Sequence, residues 1–245
     1  MIGMHRIGHN LRHLKDKVRI AKLQYSGYSY NRESPSRQNY IIYGILGLNT
    51  AVFFAWKHYQ LKGAYHSDGS RFLQRHFTLT KQGLKNNYYH TLLTYSFSHM
   101  DNFHFLINMI VFHNCSTPLI GILGTSRFLF LYLGGSAIAG YCQLYWKNWI
   151  PDSWFPKTAR SNRDVVIGSS GATSSLFCYS VLSQPRAIWM FFGVIPVPAA
   201  LLGALFVGKD IYDLTRGDSS VGNMAHLSGA AYGAYFYYLV TRGKF

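Results

Sequence analysis

The sequence predicts an all-α membrane protein: six helices that cross a bilayer, preceded by a basic amphipathic extension. Three observations predict it. The 245-residue chain is 49% hydrophobic and only 13% charged, a balance that suits a membrane protein better than a soluble one. The charges are clumped, so that six windows (39–56, 103–126, 128–146, 165–185, 187–208 and 219–241) hold no Asp, Glu, Lys or Arg. Each window is close to the roughly 20 residues that a helix needs to cross a bilayer. A soluble bundle of greasy helices would rarely concentrate six such runs in one chain.

Residues 1–38 form the extension. Eight Lys and Arg are opposed there only by Asp16 and Glu33. Met4, Ile7, Leu11, Leu14 and Val18 recur at steps of three and four, with Arg12, Lys15 and Arg19 off that stripe, the pattern of an amphipathic helix. Three readings stay open: an Arg-rich, acid-poor mitochondrial targeting helix, a helix lying on an anionic membrane surface, and a solvated tail. Residues 26–38 (SGYSYNRESPSRQ) read as a linker. The net charge of +15 points to anionic lipid headgroups, and no nucleic-acid-binding motif is present.

The six-window region, 39–241, reads as one domain, followed by a short tail, 242–245. A long connection at 57–93, rich in aromatic residues, is expected to pack on or dip into the membrane face. Polar connections follow at 147–163, with Trp at the interface, and at 209–218. Six crossings put both termini on one side. The 24 Lys and Arg divide evenly between the two sides, so charge counting assigns no orientation. Cys115, Cys142 and Cys178 fit no zinc-ligand spacing and read as buried thiols.

Polar residues inside a membrane are costly and mark function by default. His104 and Asn108 fall early in the second window and share a helix face, with His99 five residues before His104, near the entrance of that span. Ser170 falls early in the fourth, between Gly168 and Gly171. His226 falls early in the sixth, where Gly222, His226, Gly229 and Gly233 share one face and let a partner helix approach closely. Each cluster alone is compatible with helix packing. However, windows two, four and six enter the membrane from the same side, so all three clusters lie at a similar depth, about 6–10 Å in at 1.5 Å per residue. A serine hydroxyl needs a base to become a nucleophile, and His226 is the expected base. No acid lies within any window, so the expectation is a Ser–His dyad with no third, carboxylate member. His104, Asn108 and the Ser170 N–H are the expected oxyanion donors.

These residues resemble the rhomboid family of intramembrane serine proteases over about 39–241. The family's H-x4-H-x3-N pattern appears as His99, His104 and Asn108. Its G-x-S-G motif appears as Gly168 to Gly171, and its G-x3-A-H-x2-G-x3-G motif as Gly222, Ala225, His226, Gly229 and Gly233. The resemblance implies a six-helix rhomboid-type bundle, Ser170 as nucleophile and His226 as base. It also implies that His104 and Asn108 line the oxyanion hole, that His99 shapes the site, and that single-span membrane proteins are the substrates. It implies no cofactor or metal. Phe97-Ser98-His99, and Ser174 where bacterial members carry Tyr, are similar to the mitochondrial, presenilin-associated branch and point to the mitochondrial inner membrane. Two features depart from the family: His90-Thr91 stands where many members have Trp-Arg, and no seventh uncharged window precedes the six. The rival reading is a non-proteolytic relative that binds transmembrane segments in mitochondrial protein import or quality control. A transporter would show inverted repeats or midplane charges, a metalloprotease H-E-x-x-H, and neither is seen.

Overall fold

The computed structural model describes residues 34–64, 66–151, 165–191, 194–216 and 222–245; the basic extension up to residue 33 lies outside them. The chain runs α1 (Pro35–Leu61), α2 (Asp68–His76), β1 (Leu79–Thr80), α3 (Lys81–Lys85), α4 (Thr91–Thr94), α5 (Asn102–Leu123) and α6 (Thr125–Tyr145). There follow β2 (Val165–Val166), α7 (Ser170–Ser183), β3 (Ile188–Phe191), β4 (Ile195–Pro198), α8 (Ala199–Arg216) and α9 (Asn223–Thr241). Among the described residues three helices, α1, α5 and α6, are long and apolar enough to cross a membrane.

Local chemistry sets the helix boundaries. The Asp101 carboxylate caps α5 by accepting the His104 N–H at 2.7 Å. Gly124, at φ +77°, ends α5 and opens α6 in a backbone region that glycine alone occupies at little cost. The α9 N-terminus starts at a glycine, Gly222, which has no capping side chain. Gln143 on α6 does the work instead, its Oε1 accepting the Ala225 N–H at 2.9 Å.

The core is built around α7, which packs against α5, α6, α8 and α9. Ala172, Leu176 and Tyr179 of α7 are fully buried, against Phe112 and Leu119 of α5, Leu131 and Tyr132 of α6 and Phe236 of α9. Large apolar side chains also face outward, among them Phe54, Phe103, Phe130, Leu205 and Tyr235. Helices that are apolar on both faces belong in an apolar surrounding.

Four sequence expectations need correction. The chain is mostly helical but not all-α: β1 pairs antiparallel with β2, and β3 with β4. The uncharged run 187–208 is not one helix. Its first half is the β3–β4 hairpin, and the helix that follows, α8, runs on through Lys209, Asp210, Asp213 and Arg216. The expected loop at 209–218 is therefore helical up to Arg216. The run 165–185 yields a helix only from Ser170 onward. The connection at 57–93 holds α2, α3 and β1, and β1 ties it to the strand that precedes α7.

Candidate active site

The loop entering α7 is fixed at successive residues. Val166 pairs with Leu79. The Gly168 N–H donates to the Tyr95 carbonyl at 3.1 Å, and the Ser169 N–H donates to His99 Nε2 at 3.2 Å. Because a backbone N–H can only donate, Nε2 must be the acceptor and Nδ1 carries the ring proton. That Nδ1 is buried without a partner among the described residues. The Ser169 hydroxyl also lies 3.2 Å from His99 Nε2. His99 thus anchors Ser169, the neighbour of Ser170. His99 is itself reached through Ser98, whose hydroxyl donates to the Phe77 carbonyl at 2.5 Å and accepts from Trp56 Nε1 at 3.2 Å.

Gly168 sits at φ +109°, and a Cβ there would lie 2.8 Å from His104 Cε1. Only glycine satisfies both the backbone conformation and the packed imidazole. The His104 ring lies edge-on to His99, with centroids 5.3 Å apart. One turn further along α5, the Asn108 Nδ2 donates to the His104 carbonyl at 2.8 Å, and its Oδ1 accepts from the Thr173 hydroxyl at 3.0 Å.

Ser170 is the first residue of α7. Its N–H therefore belongs to the set that a helix leaves without intrahelical acceptors. The α7–α9 crossing follows directly. A Cβ on Gly171 would lie 2.3 Å from Ala139 Cβ and 3.4 Å from the Ala225 carbonyl. A Cβ on Gly229 would lie 2.1 Å from the Gly171 carbonyl, and one on Gly233 2.3 Å from the Ser175 carbonyl. The two backbones therefore touch, a contact that small residues make possible between membrane helices. Gly222 is different: its nearest neighbour would be 3.7 Å away, and it serves as the α9 N-cap. Ser170 follows the anchored loop next to Gly171, and His226 follows Ala225, so both flank the closest approach. The Ser170 hydroxyl makes no hydrogen bond among the described residues. His226 pairs instead through Nδ1, 3.2 Å from the Asp210 carboxylate.

Asp210 overturns the expectation that no acid lies within the bundle. Its side chain is 10% exposed and that of His226 19%. An ionised carboxylate only accepts, so a neutral imidazole in this pair carries its proton on Nδ1 and leaves the Nε2 lone pair free. This is the tautomer that a general base requires. The sequence carried a signal for it. Ala199, Leu202, Asp210 and Leu214 are the buried residues of α8, and their spacings of 3, 8 and 4 follow one helix face. Thr173 and Gln143 were likewise not anticipated. Among the described residues no group of three or more His, Cys, Asp or Glu could hold a metal.

A chain with this bundle, these histidines around a serine-bearing loop and these touching glycine faces belongs to the rhomboid family. Residues 86–243 match the Rhomboid domain. The chain is similar to RHOMBOID-like protein 12, mitochondrial, of Arabidopsis thaliana, at 30% identity over 84% of this chain and 60% of the other. It is also similar to Rhomboid protein 1, mitochondrial, of Saccharomyces cerevisiae, at 30% identity over 88% of this chain and 56% of the other. Presenilin-associated rhomboid-like protein A, mitochondrial, of Danio rerio is 28% identical over 79% of this chain and 46% of the other. The chain spans about half of the length of these curated relatives.

Proposed function

We propose that this chain is an intramembrane serine endopeptidase of the mitochondrial inner membrane, with a six-helix catalytic domain over 39–241 that hydrolyses peptide bonds in the helices of single-span membrane proteins. The observation that carries this reading is Ser170 at the start of α7, beside a helix crossing at which His226 is already held by Asp210. His226 Nε2 takes the proton from Ser170 Oγ as Oγ bonds to the scissile carbonyl carbon. The imidazolium that forms keeps its Nδ1–H on Asp210, making three residues rather than two. The oxyanion is met by the Ser170 N–H, by the second Asn108 Nδ2–H and by His104. His226 then returns its proton to the leaving amine, and water, deprotonated by His226, releases the acyl group from Ser170.

The length of α7 supports a reaction below the membrane surface. Its 14 residues span about 21 Å, short of the roughly 30 Å hydrocarbon core. A helix of that length reaching one surface leaves its other end, Ser170, within the membrane. The mitochondrial location rests on the names of the relatives and on the basic, acid-poor extension, for which anionic lipids are a fitting partner.

The test is cleavage of a model single-span substrate with a Gly- or Pro-destabilised helix in proteoliposomes. Wild-type protein cleaves, and Ser170→Ala abolishes cleavage while the protein melts as wild type. Cleavage persisting in S170A would overturn the assignment. A folded wild type that binds the substrate helix without cleaving it would favour the non-proteolytic reading.

A further inference from the structure

We infer that Thr173 is a positioning residue: its hydroxyl holds the Asn108 amide, whose ends are oriented by the His104 carbonyl, in register with the nucleophile's helix, and so delivers an N–H to the reacting carbonyl. The inference rests on the reading of Asn108 as an oxyanion donor. Thr173 lies three residues after Ser170 and is 4% exposed, and Asn108 is 5% exposed, so neither can turn to solvent for a partner.

An Asn side chain offers two nearly isosteric ends, one accepting and one donating. At Asn108 both ends are constrained. One faces the His104 carbonyl at 2.8 Å, which can only accept, so it must be Nδ2. The other faces the Thr173 hydroxyl at 3.0 Å, and Oδ1 accepts there. Rotating the amide by half a turn would set Oδ1 against a carbonyl oxygen. With one Nδ2 hydrogen spent on His104, the second is the one left to donate.

The His104 carbonyl alone does not hold this arrangement. A back-bond within a single helix turn moves with its helix and does not register α5 against α7. The Thr173 hydroxyl does, because it bridges from the nucleophile's helix to the oxyanion donor's helix. Its alternative acceptors are the carbonyls of Ser170 at 3.1 Å and Ser169 at 3.2 Å, the usual back-bonds of a helical threonine. All three acceptors lie within reach, and the bridge to Asn108 is the shortest. A side chain of the same shape without the hydroxyl leaves Oδ1 buried with no donor among the described residues, and the amide is no longer tied to α7.

The experiment measures kcat and KM for T173V, T173S, N108A and the N108A/T173V double variant in proteoliposomes, with thermal melting of each. T173V is expected to lower kcat by about tenfold with KM within about twofold, a fraction of the roughly hundredfold expected from N108A when one oxyanion donor is lost. T173S restores kcat to within about twofold of wild type. On the N108A background T173V adds no further loss, because the amide it positions is gone. If T173V does not fold, T173S against T173A makes the same comparison, since those two differ only in the hydroxyl. Wild-type kcat in T173V, or an undiminished loss from T173V on the N108A background, would overturn this inference alone. Wild-type kcat in N108A would overturn the oxyanion assignment beneath it, and this inference with it.

Discussion

Asp210 gives the sharpest quantitative prediction. Its carboxylate oxygens lie 3.2 Å from His226 Nδ1, and no bundle carboxylate was expected from the sequence. A hydrogen bond to a charged group contributes about 1.5–3 kcal/mol. In the proposed mechanism His226 becomes the imidazolium in the transition state, so this bond would be stronger there than in the ground state, and its loss would fall on kcat. At 1.36 kcal/mol per tenfold, the predicted loss is roughly 10- to 150-fold. The His226 ring is partly open to its surroundings, and water can replace some of the lost interaction, which favours the lower half of that range. Asp210→Asn keeps an acceptor for Nδ1 and loses only the charge, so it falls near tenfold. Asp210→Ala also frees the ring and its tautomer, and falls further. The assay is single-turnover cleavage of a membrane-reconstituted substrate, with melting curves to establish folding. Both variants folded and within twofold of wild type would refute the reasoning.

Three further predictions follow from the packing and the loops. Gly229→Ala would drive a Cβ to 2.1 Å from the Gly171 carbonyl, so the α7–α9 crossing must open: stability falls by about 3 kcal/mol or more and cleavage is lost, whereas Gly44→Ala, with nothing within 4 Å, melts as wild type or slightly higher. Gln143→Ala removes the cap on the Ala225 N–H and lowers stability by about 1 kcal/mol, read as a shift in chemical or thermal melting. In the loop at 57–93, His76 Nδ1 lies 3.0 Å from His90 Nε2. Burial, then the neighbouring His90 and Arg75, hold its pKa below the ordinary histidine value. The unfolded chain therefore binds the proton more readily, so stability is full above the unfolded pKa of about 6.5 and declines as pH falls below it. His76→Gln is predicted to flatten melting between pH 7.5 and 5.5.

Much of the fold could be read from charge spacing, because a helix that must shed its charges over a bilayer's width announces its length. The windows at 39–56, 103–126, 128–146 and 219–241 each fall on a long helix, α1, α5, α6 or α9, to within a few residues. At 187–208 charge spacing does not mark one helix, since an uncharged run specifies polarity and not periodicity. Pro196 and Pro198 stood in that run as markers against a continuous helix, and both lie in the β4 strand of the hairpin. The same assumption, that charge ends a membrane helix, hid Asp210: α8 carries its charges onward, with Lys209 and Asp213 paired at 2.5 Å on the exposed side and Asp210 turned inward. At the site, the motif spacing led to Gly168, Ser170, His226 and the α5 polar residues. The particular bonds, His99 to Ser169 and Asn108 to Thr173, depend on how α5 and α7 register across a gap, which no single-helix pattern encodes.

The central claim is that Ser170, activated by His226, becomes covalently bound to the carbonyl carbon under attack. Mass-spectrometric mapping of the adduct formed with a fluorophosphonate, an electrophile that captures activated serine hydroxyls, tests it most directly. One adduct on the peptide bearing Ser170, absent in S170A and strongly slowed in H226A, is the predicted result. An adduct on Ser169, or equal labelling of Ser170 with His226 replaced, would contradict the account.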